Sequence, residues 1–186
     1  MNSKNNEINK KIMSISYPGF RGRYDHTIDT KGRLALPSRY RKVFEQYLHS
    51  QDVFITTHDH KNLIVFPMGV WVALEDEWTP LSHYDEDIED HIFILSYNGQ
   101  ECSVDNGGRL LIPKSIRDET NLENDVVIIG KINHFEVWDR TEAKQHLDKI
   151  IKKKDSRERL AEIGAKIKKV SPRKPQVMPL EEEISV

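Results

Sequence analysis

Arginine and lysine on a tight turn are the residues of this chain best placed to do chemistry, and that chemistry is anion recognition. Arg33 follows the tetrapeptide Asp29-Thr30-Lys31-Gly32, and Arg21, Arg23, Lys31, Arg39 and Arg41 flank or occupy the same stretch. A cationic loop at the tip of a β-hairpin approaches phosphates or enters a major groove. The stretch occurs twice. Asp29-Thr30-Lys31-Gly32-Arg33-Leu34-Ala35-Leu36-Pro37-Ser38-Arg39-Tyr40-Arg41 is matched by Asp105-Asn106-Gly107-Gly108-Arg109-Leu110-Leu111-Ile112-Pro113-Lys114-Ser115-Ile116-Arg117. The shared frame is Asp-x-x-Gly-Arg-Leu-x-apolar-Pro-x-x-x-Arg, and an internal repeat sets the architecture before any other feature. The second copy is less basic, with Asn106 and Gly107 where the first has Thr30 and Lys31.

The frame dictates a local fold. Gly32 and Gly108 supply a positive φ without steric cost, and Asp29 and Asp105 fold their carboxylates onto turn amides. These four are the turn-forming residues. The flanking stretches Tyr24 to Ile28 and Arg33 to Leu36 read as short strands. Pro37 and Pro113 suit a helix start, so helices are predicted over Ser38–Leu48 and Lys114–Thr120. The unit is strand, turn, strand, helix. An Asp29–Arg33 ion pair that merely fixes the turn is the alternative to an Arg33 that contacts a ligand.

The remaining elements follow the same order in both halves. Val53-Phe54-Ile55-Thr56-Thr57 and Leu63-Ile64-Val65-Phe66 read as a hairpin about His58 to Asn62. A helix follows, carrying Trp71, Leu74 and Trp78 on one side and ended by Thr79-Pro80. In the second half Ile92 to Tyr97 is a short apolar segment and Glu101 to Val104 a strand. Val126 to Ile129 answers the Val53 strand, Phe135 to Trp138 answers the Leu63 strand, and a helix begins near Thr141. Halves this small have difficulty burying separate cores, so they are expected to interlock as one pseudo-two-fold barrel. The three tryptophans, on apolar faces, are expected in the core or in subunit contacts.

The net charge of −2 over 186 residues conceals local asymmetry. Met1 to His49 carries ten basic against four acidic residues, whereas Glu75 to Asp90 carries eight acids and no Lys or Arg. A local basic face says more about nucleic acid than the total does. Lys149 to Lys174 is again basic, with Leu147, Ile150, Ile151, Leu160, Ile163, Ile167 and Val170 at helical spacing. The expected segments are an N-terminal arm over 1–19, repeat 1 over 23–70, and a helical acidic connector over 71–98. Repeat 2 over 99–142, a basic amphipathic helix over 143–170 and an irregular tail over 171–186 complete the chain.

Other chemistries find little support. One cysteine, Cys102, precludes an intrachain disulfide and agrees with a reducing cytoplasm. Cys102 falls in a strand and reads as a small core residue rather than a nucleophile. No run reaches transmembrane length, and the polar Met1 to Lys11 has no apolar core of a secretory signal. His58-Asp59-His60, with His26 and Cys102 as possible company, is the best metal candidate, but it lacks a matching partner motif. No Gly-rich phosphate loop, Gly-x-Ser-x-Gly or His-Glu-x-x-His is present. Neither enzyme activity nor a cofactor or metal is expected. The Glu75 to Asp90 stretch reads as a solvated face, or as a docking site for a basic protein.

The two frames, the Phe20-Arg21-Gly22 lead-in and Phe135-Glu136-Val137-Trp138-Asp139 together resemble the MraZ family over roughly Phe20 to Ala143. These are bacterial transcriptional regulators related to the AbrB and SpoVT DNA-binding fold. The resemblance implies an α+β fold, a double swapped-hairpin β-barrel with flanking short helices, assembled into a ring-shaped homo-oligomer. It implies a cytoplasmic, nucleoid-associated protein that binds double-stranded DNA at promoter direct repeats. The target would be the cell-division and cell-wall operon, including the protein's own gene. The family's Asp-x-x-x-Arg signature, linked to DNA contact, maps onto Asp29 and Arg33 and onto Asp105 and Arg109. The DNA-binding residues are therefore expected to be Arg21, Arg23, Lys31, Arg33, Arg39, Arg41, Arg109 and Arg117.

Overall fold

The computed structural model describes residues 19–152. The expected N-terminal arm, the continuation of the basic helix past Lys152 and the tail lie outside the described residues. The first half contains β1 (Arg23–Thr27), β2 (Arg33–Ala35), α1 (Ser38–Val43), β3 (Asp52–Thr56), β4 (Asn62–Pro67) and α2 (Met68–Ser82). Helix α3 (Glu86–Tyr97) follows. The second half contains β5 (Gln100–Ser103), β6 (Arg109–Leu111), α4 (Lys114–Glu119), β7 (Asp125–Gly130), β8 (Phe135–Asp139) and α5 (Arg140–Lys152). Residues up to Gln145 belong to one compact unit, and the chain from His146 onward to a second.

The strands form a six-stranded antiparallel sheet in the order β1-β7-β8-β4-β3-β5 and a two-stranded ribbon of β2 with β6. Exchanging the two halves reverses the order and leaves it unchanged. Strand β1 pairs with β7 of the other half, and β5 pairs with β3. Each half thus supplies the outer strand of the other, which lets two small units share one core. The ribbon carries the same relation to a single residue pair, because Leu34 lies opposite Leu110, its own counterpart in the repeat. Pairing among the described residues does not close the strands into a barrel, so the architecture is α+β, with an antiparallel sheet and several helices.

Alternation along the strands divides two cores. Val53, Ile55, Leu63, Val65, Val126, Ile128, Phe135 and Val137 point to one face and join Leu34, Leu36, Leu110, Ile112 and Ile116 in the main core. Phe20 bonds to Ile132 through paired backbone bonds of 2.8 and 2.9 Å. Its ring stands 5.0 Å from Tyr40, 5.3 Å from Phe135 and 5.6 Å from Phe44. The other face of β3 and β4 presents Phe54, Ile64 and Phe66 to Trp71, Leu74 and Trp78 of α2 and Leu95 of α3. Phe54 stacks on Trp71 at 4.0 Å. Trp138 is buried as well, and its Nε1 donates to Glu136 at 2.8 Å.

Three boundaries differ from expectation. The helix predicted to Leu48 is α-helical only to Val43; over Phe44–Leu48 it widens to a π-helix, with the His49 N–H reaching Phe44 O, five residues back. Helix α2 runs through Pro80 to Ser82. A proline in the exposed last turn loses few intrahelical bonds, and Thr79 Oγ1 donates to Glu75 O at 2.7 Å there. Ile92 to Tyr97 belongs to α3, a full helix rather than a short apolar segment. Its start explains part of the acidic run. Asp85 caps it by accepting from Asp87 N and Ile88 N, and Glu86, Asp87 and Glu89 fill the first turn, where the helix dipole favours anions.

The paired leucines at the ribbon centre are both fully buried. Leu34→Ala and Leu110→Ala are each expected to lower the unfolding free energy by about 2–5 kcal/mol. Because the two side chains share one site, the double variant should lose less than the sum. Urea titration of the four proteins measures this.

Candidate nucleic-acid interface

Each turn is held by one carboxylate. Asp29 Oδ1 accepts from Lys31 N and Arg33 N, both at 2.9 Å, and Oδ2 accepts from Arg33 Nε at 2.7 Å. Arg33 Nη2 also lies 2.7 Å from Oδ2. Asp105 repeats the pattern on Gly107 N at 2.8 Å and on Arg109 N and Nε at 2.9 Å. The backbone closes both turns identically: Gly32 N donates to Asp29 O and Gly108 N to Asp105 O, each at 2.8 Å. Gly32 has φ +80° and Gly108 φ +71°, so an L side chain at either would be strained. The ion-pair alternative for Asp29 and Arg33 therefore holds as geometry. It uses Nε and one Nη2 hydrogen of Arg33 and leaves Nη1 without a partner among the described residues.

The bonds to the Arg33 backbone and side chain hold the Asp29 carboxyl down from the ordinary 3.8 to about 2. The same pair of bonds from Arg109 lowers Asp105. Both carboxylates are ionised at neutral pH, which makes them acceptors only. Their role in this geometry is to fix the arginine, since a carboxylate itself repels phosphate.

The ribbon gathers the two arginines. Leu34 and Leu110 point inward, so Arg33, Ala35, Arg109 and Leu111 lie on the opposite, outward face. The register sets Arg33 against Leu111 and Ala35 against Arg109. The guanidinium-bearing chains are diagonal neighbours on one face, about 7–8 Å apart by ribbon geometry. They are neither buried nor fully free: the side chains are 34% and 45% exposed.

The other expected contacts separate into groups. Arg21, Lys31 and Arg39 are exposed and form no ion pair among the described residues. Arg23 pairs with Asp25 at 2.8 Å, and Asp25 also lies 3.7 Å from Arg140 at the start of α5. Arg41 and Arg117 are half-buried and cross to the opposite repeat. A Cβ on Gly108 would meet Arg41 Cδ at 1.8 Å, and a Cβ on Gly32 would meet Arg117 Nη2 at 2.9 Å. The only hint of this in the sequence is that Gly and Arg keep the same spacing in both frames. Burial pushes the Tyr40 hydroxyl up, and that hydroxyl donates to Arg21 O at 3.4 Å.

The rival site residues do not assemble. His26 sits in β1 and Cys102 in β5, the two outer strands of the sheet. His58 faces His91 with ring centroids 5.2 Å apart, Asp59 pairs with Lys61, and no group of three metal-ligating side chains occurs among the described residues. Cys102 packs against the main core, and burial raises its thiol. No helix among the described residues is long and apolar enough to cross a membrane.

The fold and the site define an α+β protein built on a duplicated strand–turn–strand–helix unit, with two arginine-bearing turns joined through one ribbon. The family described as MraZ protein, putative antitoxin-like, matches residues 20–90 and 96–163. The transcriptional regulator MraZ of Syntrophobacter fumaroxidans is 31% identical over 148 residues, spanning 80% of this chain and 95% of that protein. That of Alkaliphilus metalliredigens is 35% identical over 130 residues, 69% of this chain and 87% of the relative. That of Roseiflexus castenholzii is 38% identical over 119 residues, covering 64% and 80%. The chain belongs to the MraZ family.

The depressed Asp29 pKa gives the first turn a signed response to acid. A carboxyl lowered by folding contributes stability that is present above its unfolded value and lost as pH falls through its folded value. The turn should stay closed at pH 5 and open between the ordinary 3.8 and about 2. Amide exchange at Lys31 and Arg33, together with the Asp29 carboxyl shift, measures this by NMR. In Asp29→Asn the titration should vanish and exchange at both amides should be faster at neutral pH.

Proposed function

We propose that this chain is a transcriptional regulator that binds double-stranded DNA sequence-specifically through the outward face of the β2–β6 ribbon and its two turns. One observation carries the reading: Arg33 and Arg109 share that face, each braced by its own aspartate. A braced guanidinium loses little freedom on binding and keeps N–H groups for a base edge or a phosphate. Lys31, Arg21, Arg23 and Arg39 add charge around the first turn, where phosphate contacts fix register and carry the salt dependence. The reading is of a binding protein rather than an enzyme.

The names of the relatives support transcriptional regulation. The family resemblance supports the finer parts: promoter direct repeats of the cell-division and cell-wall operon, with the protein's own gene among the targets, and residence at the nucleoid. It also supports a swapped-hairpin barrel, which the strand exchange suits, and a ring of several copies. A ring would present many turns to regularly spaced repeats, so weak individual contacts would combine through effective concentration.

Fluorescence anisotropy tests this with a labelled duplex taken from immediately upstream of the protein's own coding sequence and a shuffled duplex of equal composition. Wild type should prefer the upstream duplex and weaken as salt rises. Lys31→Ala should weaken both duplexes alike and reduce the slope of log affinity against log salt by about 1. Arg33→Ala should lose discrimination of about 1–3 kcal/mol between the duplexes. Wild type without salt-dependent binding, or both variants indistinguishable from it, would overturn the reading.

A further inference from the structure

We propose that Arg41 and Arg117, the last residues of the two frames, are positioning residues: each holds the turn of the opposite repeat in its binding shape and makes no phosphate contact of its own. The proposal rests on the ribbon being the DNA-binding face. Four observations carry it. Both side chains leave their own repeat. The stem of Arg41 lies over Gly108, whose added Cβ would meet Arg41 Cδ at 1.8 Å, Cγ at 2.7 Å and Nε at 3.1 Å. The guanidinium of Arg117 lies over Gly32, whose added Cβ would meet Nη2, Cζ and Nε at 2.9, 3.1 and 3.2 Å. Both glycines are buried although each ends an exposed turn, and these arginines are what lies against them.

The backbone makes the same crossing. Leu36 N donates to Gly108 O and Ile112 N to Gly32 O, each at 2.9 Å. Arg117 is anchored beside this bond, its Nε donating to Ile112 O at 3.2 Å. Each turn is therefore closed from within by its aspartate and covered from outside by the other repeat. The Arg41 Nε is buried and has no hydrogen-bond partner among the described residues, so contact through the stem, not hydrogen bonding, fixes that side chain. The glycine must lack a Cβ for two reasons, its positive φ and the arginine lying against it. The coupling is reciprocal: damage to repeat 1 at Arg41 appears at the repeat 2 turn.

The two arginines make different contacts, so methionine separates positioning from phosphate binding at Arg41. Methionine keeps an unbranched stem and removes the charge. Arg41→Met should bind the upstream duplex like wild type, with an unchanged salt slope. Arg41→Ala should bind roughly tenfold more weakly, the scale of one misplaced bidentate contact, again with an unchanged slope. Amide exchange should quicken at Gly107 and Arg109 in Arg41→Ala, while Lys31 and Arg33 in its own repeat stay as in wild type. Equal weakening in both variants with a slope reduced by about 1 marks a phosphate contact and overturns the proposal. So does an Arg41→Ala protein that binds like wild type. Should Arg41→Ala fail to fold, Arg41→Met decides alone: wild-type affinity and slope support positioning, and a reduced slope refutes it. Absence of binding by wild type itself would instead defeat the DNA-binding reading, with the exchange pattern still reporting on the crossed contact.

Discussion

The pairing of Leu34 with Leu110 is the constraint on which the rest of the unit depends. The offset between these residues is the offset between the two frames, so the ribbon register and the sequence repeat are one relation. A slip of one residue would turn the slipped strand's leucine outward and its arginine toward the core, where burying a charged group is costly. With the register fixed, the two turns are placed by the strands that lead into the ribbon. The outer strands run to the opposite half, β1 against β7 and β5 against β3. The symmetric sheet order is the consequence.

The turns separate two electrostatic tasks that a cluster of free cations would confuse. Asp29 and Asp105 cancel the formal charge of Arg33 and Arg109, so these pairs add little long-range attraction. In exchange each guanidinium is held against its aspartate, Arg33 through Nε and Nη2 and Arg109 through Nε, with part of its donor set unused. Attraction in the DNA-binding reading comes instead from Arg21, Lys31 and Arg39, which form no ion pair among the described residues. Freely moving charges suffice for a contact that only needs to neutralise phosphate, whereas discrimination among bases needs direction.

Much of this was legible in the residues because the repeat states its own geometry. Asp, Gly and Arg at fixed spacing describe a turn with one positive φ and one folded-back carboxylate, and the structure places all three as that pattern requires. The apolar, β-branched runs Val53 to Thr57 and Leu63 to Phe66 marked β3 and β4 for a related reason, since strands covered on both faces are apolar throughout. Strand partners were not legible in detail: the turn reads as the tip of a hairpin made by its own flanking strands, whereas β1 pairs with β7 and β2 with β6, a choice that only burial across the whole sheet decides. The crossing of Arg41 to Gly108 was hidden because a terminal arginine on a short helix looks like a surface cation, and nothing local reveals whose backbone lies beneath it. The extent of α2 was obscured by Pro80, a residue whose effect depends on whether it falls in the middle or the last turn.

The differences between the two copies show what the turn leaves free. Positions that the geometry uses are identical: Asp29 and Asp105 accept, Gly32 and Gly108 bend, Arg33 and Arg109 brace, Arg41 and Arg117 cover. The two positions between Asp and Gly contribute only backbone, and there Thr30-Lys31 faces Asn106-Gly107. Charge is therefore varied within the turn at a place where variation does not disturb its geometry. A pseudo-two-fold ribbon with lysine on a single tip is asymmetric in charge while symmetric in shape. In the DNA-binding reading such a surface would meet a duplex in one preferred polarity, with the Lys31 tip drawn toward phosphate and the Gly107 tip free to approach closely. A regulator of this build would read direct repeats more naturally than palindromes, because its own symmetry is broken where the contact is made.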